Sequence, residues 1–132
     1  MLHLLRTTLA ALGLMMLALV PLSAEASETI VGQGSFTGAS DHVTSGKVTV
    51  ISTPEGNFVV LGDDFFLDGA PDPHVALGKA GSYDADTRAG LLQSNSGPGR
   101  YKLPDHIDPA DFDEVYIWCV RFNVPLGVAQ LN

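Results

Sequence analysis

Glycine and proline interrupt this chain so often that no long helix fits after residue 26. The 132 residues include 14 glycines and 8 prolines, which recur about every 8–12 residues in the way that is typical of short strands joined by turns. The stretches between them are rich in β-branched and aromatic residues. The spacing therefore predicts an all-β fold, an antiparallel β-sandwich-like single domain.

Alternating polar and apolar residues predict a hairpin over residues 47–61, with a turn at Pro54-Glu55-Gly56-Asn57. Further strands are expected at 32–36 (an edge strand), 64–67, 74–78 and 124–131, where Pro125 favours an edge or a strand start. Residues 79–99 predict a long surface loop with a short strand near 89–93. Asp108 and Pro109 are expected to begin a single helical turn.

The N-terminus has the three parts of a secretory signal. Arg6 precedes an apolar run over residues 9–20, and the small residues Ser23-Ala24-Glu25-Ala26 follow Pro21. The run is shorter than the roughly 20 residues that span a bilayer as a helix. We therefore expect a signal peptide over 1–26, a β domain over 27–132, and a periplasmic or secreted location. An uncleaved anchor is the alternative.

The charge of the chain disfavours one class of partner. The formal net charge is −8, and it is also −8 for residues 27–132 because Arg6 and Glu25 cancel. An acidic surface repels phosphate backbones, and no cluster of lysine and arginine interrupts it. Nucleic acid is therefore not an expected partner, and no second apolar run predicts a membrane span after residue 26.

The most apolar stretch after the signal is 115–122, which predicts a strand in the centre of its sheet. A period of two places Tyr116, Trp118 and Phe122 on one face and Cys119 with Arg121 on the other. On such a strand Cys119 and Arg121 would lie about 7 Å apart. The Arg121 face is expected to be less deeply buried than the Tyr116 face.

Blocks of residues along the chain resemble a known family, the electron-transfer DM-thirteen domain, which often occurs beside haem-binding DOMON modules. The blocks, in order, are Gly34-Ser35-Phe36, residues 42–48, Asp64-Phe65-Phe66, residues 69–75, residues 101–104, residues 116–124 and Gly127-Val128-Ala129. The resemblance implies a β-sandwich-like domain with its characteristic cysteine, here Cys119, in the penultimate strand. It also implies redox chemistry or binding of a prosthetic group, with haem as the suggested group.

Cys119 is the one cysteine of the chain, so it cannot form an internal disulfide. It is a candidate redox thiol, since a guanidinium such as that of Arg121 favours the thiolate, which is the reactive form. It could instead be a small apolar residue that packs in the core. A disulfide to another chain is the third possibility.

Haem ligation by Cys119 and a histidine is the cofactor hypothesis, with His74 as the candidate partner. His42 and His106 are the other histidines after the signal, and all three lie beside turns, where an ordinary surface role is the alternative. No C-x-x-C-H motif is present. No metal site is expected, because no histidine follows Cys119 and the acidic residues near 63–72 and 84–86 lack a full calcium-loop pattern.

These observations predict an exported module for redox chemistry or prosthetic-group binding through Cys119. The alternative is a non-catalytic extracellular binding or structural module in which Cys119 only packs. A conventional enzyme is not expected, since neither G-x-S-x-G nor H-E-x-x-H occurs. The expected partner is a redox protein or another extracellular protein.

Overall fold

The computed structural model describes residues 16–21 and 27–132. In this part of the chain it has eleven β-strands and two single-turn 3₁₀ helices. The strands are β1 Thr29–Gly38, β2 Thr44–Ser45, β3 Lys47–Thr53, β4 Gly56–Leu61, β5 Phe66–Leu67, β6 Pro73–Lys79, β7 Ser82–Asp84, β8 Gly90–Leu91, β9 Gly99–Lys102, β10 Glu114–Cys119 and β11 Val124–Gln130. The 3₁₀ helices are Ala85–Thr87 and Pro109–Asp111.

Nine strands form one continuous antiparallel sheet in the order β7-β6-β10-β11-β1-β3-β4-β9, with β8 paired to β6 beside β7. Strands β2 and β5 form a separate two-stranded sheet. Strand β10 lies between β6 and β11, so the prediction of a central strand near residues 115–122 is confirmed. Within the described residues, no helix is long and apolar enough to cross a membrane.

The sheet is curled because β1 belongs to both of its halves. The first part of β1 pairs with β3, from Thr29 opposite Ser52 to Ser35 opposite Lys47, and its last part pairs with β11, where Phe36 lies opposite Ala129. A twisted sheet that shares one strand in this way folds over itself and encloses its own core. The expected edge strand at 32–36 is therefore wrong, since this segment lies in the middle of the sheet.

One hydrophobic core fills the space between the two halves. The half that contains β3 and β4 contributes Val48 and Val59, and the half that contains β6 and β10 contributes Val75 and Ile117, all with no exposed surface. Burial of side chains from both halves in one cluster is the packing of a β-sandwich. The prediction of an all-β, antiparallel, sandwich-like single domain is confirmed.

Two of the predicted local elements, the hairpin and the helical turn, are present, and a predicted strand is shorter than expected. The hairpin over 47–61 is confirmed as β3 and β4, and Asp108 caps the 3₁₀ turn, where its carboxylate accepts the Ala110 N–H at 3.0 Å. The strand expected over 64–67 is shorter, because Phe65 N–H bonds to the carbonyl of Gly62 in a turn and only β5 remains extended. Of the predicted signal peptide over 1–26, only residues 16–21 are among the described residues, so the structure does not test it.

The long loop expected over 79–99 contains more structure than predicted. It holds β7, a 3₁₀ turn and β8, and the short strand expected near 89–93 is confirmed as β8. Thr87 holds this segment against β6. Its fully buried hydroxyl accepts the Leu77 N–H at 2.7 Å, where the carbonyl of a neighbouring strand would otherwise accept it. A polar side chain that pairs with backbone groups in this way leaves little apolar signal in the sequence.

Candidate functional site

Strand β10 places its side chains alternately in the core and on the outer face of the sheet. Val115, Ile117 and Cys119 belong to the core cluster, whereas Tyr116 and Trp118 point outward. Both faces are largely buried, because a layer of side chains also covers the outer face. The face of β10 that carries Cys119 is the one that packs in the core. The expectation that this face is less buried than the Tyr116 face is therefore wrong.

Cys119 is the last residue of β10 and is 1% exposed. It lies opposite Pro73 of β6 and Val124 of β11, both at strand starts. Its thiol is free and packs within the hydrophobic cluster. Free cysteine behaves as a small apolar residue in such a position, and its burial leaves no access for a second thiol in the folded state.

Arg121 is not placed as the sequence predicted. Strand β10 ends at Cys119, and residues 120–123 form the turn to β11, in which Arg121 is exposed. The premise that the two side chains share a strand face is therefore wrong. The expected effect of Arg121 on the Cys119 thiol therefore stays a prediction.

His74 lies on the opposite side of the sheet from Cys119. In the register of β6 and β10, His74 pairs directly with Trp118, and directly paired residues share a face. The His74 Nε2 atom is 2.9 Å from the Asp72 carboxylate, to which it is hydrogen-bonded. His74 and Cys119 therefore cannot bind one group from the same side.

Three aromatic side chains cover the outer side of β6 and β10; we call them, together with His74, the aromatic face. The rings of Tyr83 and Trp118 stack at 4.0 Å with 4° between their planes, and Tyr116 packs edge-on against both, at 6.1 and 5.9 Å. Ring pairs of this kind add about 0.5–1.5 kcal/mol beyond their buried area. The aromatic face is therefore a firmly packed unit.

Two small residues of β6 make room for these rings. Ala76 lies opposite Tyr116 and is fully buried, although it is outside the core cluster. A Cβ atom at Gly78 would lie 2.3 Å from the ring of Tyr116, so no larger residue fits there. The sequence His74-Val75-Ala76-Leu77-Gly78 thus places large residues toward the core and small ones beneath the aromatic rings.

A buried carboxylate closes one end of the aromatic face. Glu114 is 2% exposed, and its carboxylate accepts hydrogen bonds from Gly81 N–H at 2.6 Å, the Gln130 amide at 2.9 Å and the Tyr116 hydroxyl at 3.3 Å. No cation pairs with it among the ion pairs of the described residues. Three donors of this kind are the usual compensation for a buried charge.

The aromatic face lies in an acidic environment. Burial raises the pKa of Tyr83, opposed by Arg88 and assisted by Asp84, and burial together with Glu114 and Asp113 raises the pKa of Tyr116. Negative charge nearby disfavours a tyrosinate, as does removal from water. A shallow depression of about 460 Å³ beside Tyr83 is lined by Lys79, Asp84, Asp111 and Phe112, among others.

The other two histidines of the described residues, His42 and His106, do not belong to the aromatic face. His42 is 2.8 Å from the Asp68 carboxylate, and the Val43 N–H and His42 hold the pKa of Asp68 below its ordinary value. His106 is exposed in the segment before the second 3₁₀ turn. In residues 16–21 and 27–132, no three side chains of the metal-binding types cluster closely enough to hold an ion.

The residues present do not fit a haem held by the predicted ligands. Cys119 points into a packed core, and His74 points away from it on the other face. Neither surface depression, of about 330 and 460 Å³, is lined by Cys119 or His74. A haem iron needs its axial ligand directed into an open pocket.

Tyr83 of the aromatic face and Glu114 at its end were not predicted from the sequence. Tyr83 lay in a segment interpreted as loop, and Glu114 preceded the predicted strand. The available signal was the alternation Glu114, Tyr116, Trp118, which is a polar and aromatic outer face next to an apolar inner one. No sequence pattern indicated that Tyr83 belongs to the aromatic face, because its position depends on the β6–β7 hairpin.

The described residues thus define a class: an all-β domain with a single cysteine buried at the end of a central strand. The sequence matches the family described as Electron transfer DM13 over residues 35–131, from the middle of β1 to the residue after β11. The chain belongs to this family. No curated protein and no solved structure matches it.

Proposed function

We propose that this chain is an exported electron-transfer module, periplasmic or secreted, with Cys119 as its redox-linked group. Membership of the electron-transfer family supports a redox role. The basic, apolar and small-residue order of residues 1–26 supports export.

The observation that carries the proposal is that three easily oxidised residues are linked in series from the core to the outer face. Cys119 in the core is bonded through the backbone to Trp118, and Trp118 stacks at 4.0 Å on Tyr83 at the surface. An oxidised partner protein would take one electron from Cys119, which leaves a thiyl radical while the thiol proton passes to water. This transfer requires short distances but no bond between the partner and the sulfur. A thiol that is 1% exposed is also protected from disulfide exchange and over-oxidation in an oxidising compartment.

One observation favours a second candidate, a binding module in which Cys119 only packs. Within the described residues, the buried cluster that contains Cys119 consists of hydrophobic residues only, and these are the surroundings of an ordinary core residue. In this case the aromatic face alone would carry the function.

Voltammetry of the purified protein adsorbed on an electrode separates the two candidates. We expect a redox wave in the wild type, its loss in Cys119→Ala, and slower electron exchange in Trp118→Phe. Cys119→Ala should fold, because it removes one buried atom and costs about 1 kcal/mol. The visible spectrum and the mass of the wild-type protein, which need no variant, report any bound group.

The absence of any wave in the wild type would reject the redox role, and the binding module would remain. A wave that persists in Cys119→Ala would reject Cys119 as the redox-linked group.

A further inference from the structure

Three basic residues lie on the outer face of one half of the sandwich, where Arg100 pairs with Glu28 and Lys102 pairs with Asp105. Strands β3, β4 and β9 turn Val48, Val59 and Tyr101 to the core, so Lys47, Arg100 and Lys102 lie on the outside of that half. These are three of the six basic residues that follow residue 26. The aromatic face is on the opposite side of the same core.

Acidic residues surround the aromatic face instead. Asp72 contacts His74, Asp84 and Asp111 line the depression beside Tyr83, and Asp113 lies near Tyr116. Lys79 and Arg88 are the cations placed there by the same contacts. The face is therefore net negative.

Apolar surface is available at the centre of this acidic face. In one row across the sheet, Leu91 of β8 pairs with His74 of β6, and His74 pairs with Trp118 of β10. Leu91 is 54% exposed, and Trp118 and Tyr83 are half-buried. An apolar centre with a charged rim is the arrangement found in protein interfaces, including the small ones used in electron transfer.

We propose that the aromatic face is the docking surface for a redox protein with a positively charged rim around its prosthetic group. This inference rests on the proposed function. Charge complementarity selects the partner, because an acidic rim attracts a basic surface before contact and speeds encounter at low salt. Docking there brings the partner against Tyr83 and Trp118, the outer end of the side-chain series that leads to Cys119.

The test uses reduced mitochondrial cytochrome c, a lysine-rich haem protein, as the probe. We expect its addition to shift amide resonances of β6, β7 and β10 in NMR spectra of the isotope-labelled protein. Binding should weaken steeply as salt is added, since the steering charges are exposed.

Two double variants that remove the same number of charges distinguish the effect of charges beside the aromatic face from the effect of the net charge of the protein. Asp111→Asn removes an exposed charge that lines the depression beside Tyr83, and Asp86→Asn removes a second exposed charge from the 3₁₀ turn that follows Tyr83. Asp41→Asn with Asp63→Asn is the control pair, which removes two exposed charges from other turns. We expect the first pair to weaken the probe's Kd about three- to tenfold, and the second pair to change it less than about twofold.

Equal weakening by both double variants, shifts confined to β3, β4 and β9, or no binding at low salt would each overturn the inference. So would self-association of the protein through the aromatic face without the probe. Voltammetry is a separate measurement: binding at this face without a redox wave rejects the proposed function only, and a wave without binding rejects the docking surface only.

Discussion

At the scale of single residues, the aromatic face depends on which residues are small. Ala76 and Gly78 lie beneath the rings, and a Cβ atom at Gly78 would also lie 2.5 Å from the carbonyl of Ser82. Tyr116 is 4% exposed although it points away from the core. Because Tyr83 and Tyr116 are shielded from water on this face, they should ionise differently in the folded protein and in the unfolded chain.

Tyr83 and Tyr116 should ionise above the ordinary tyrosine pKa of 10.0 in the folded protein. Between the pKa of the unfolded chain and the raised folded pKa, the folded state holds more protons, so the free energy of unfolding falls as pH rises. The absorbance of tyrosinate against pH, in native and denatured protein, measures both effects. Tyr83→Phe should remove one of the late-titrating groups. Coincident native and denatured titrations would contradict the packing of the aromatic face.

At the scale of elements, the β6–β7 hairpin positions Tyr83 over β10. Its turn consists of Ala80 and Gly81, which have φ of +51° and +82°. The Asp113 carboxylate accepts the Ala80 N–H at 3.1 Å, and Glu114 accepts that of Gly81 at 2.6 Å. Two successive acidic residues at the start of β10 thus hold the turn that carries Tyr83.

Replacing Ala80 with glycine should stabilise the protein. A left-handed φ costs a residue with a Cβ about 1–2 kcal/mol, and the greater freedom of glycine in the unfolded chain offsets part of that gain. We expect Ala80→Gly to raise the free energy of unfolding by about 0.5–1 kcal/mol in urea titrations. The matched control is Ala85→Gly in the first 3₁₀ turn, which should lower it. A loss of stability in Ala80→Gly would show that this turn is not strained.

At the scale of the whole molecule, the sandwich depends on β1 passing from one half of the sheet to the other. At this crossing a Cβ atom on Gly34 would lie 2.0 Å from the carbonyl oxygen of Gln130, which is backbone and cannot move aside. Gly34 therefore permits the close approach of β1 and the end of β11 that closes the core.

Gly34→Ala should destabilise the domain by about 3 kcal/mol or more, since the clash forces the backbone of two strands apart. Gly32→Ala is the matched control in the same strand, because its nearest neighbour is the Leu131 side chain at 3.1 Å. Thermal unfolding of the two variants measures the difference. Equal stability of the two would refute the crossing at Gly34.

Local patterns in the sequence were enough to predict the all-β class, the 47–61 hairpin, the Asp108 cap and the central position of the Cys119 strand. Each follows from a signal between near neighbours: alternation of period two, turn residues, or a capping side chain. Local signals also placed Cys119 and Trp118 on opposite faces of one strand.

Long-range packing decided which of those two faces is buried in the core. It also decided that β10 ends before Arg121, that His74 lies away from Cys119, and that Tyr83 stacks on Trp118. These facts depend on which distant strands pair and in which register, and pairing is set by the packing of the whole sandwich rather than by neighbours in the chain. A strand that is apolar on both faces has no local signal for its inner side, so the burial of Cys119 could be found only from the fold.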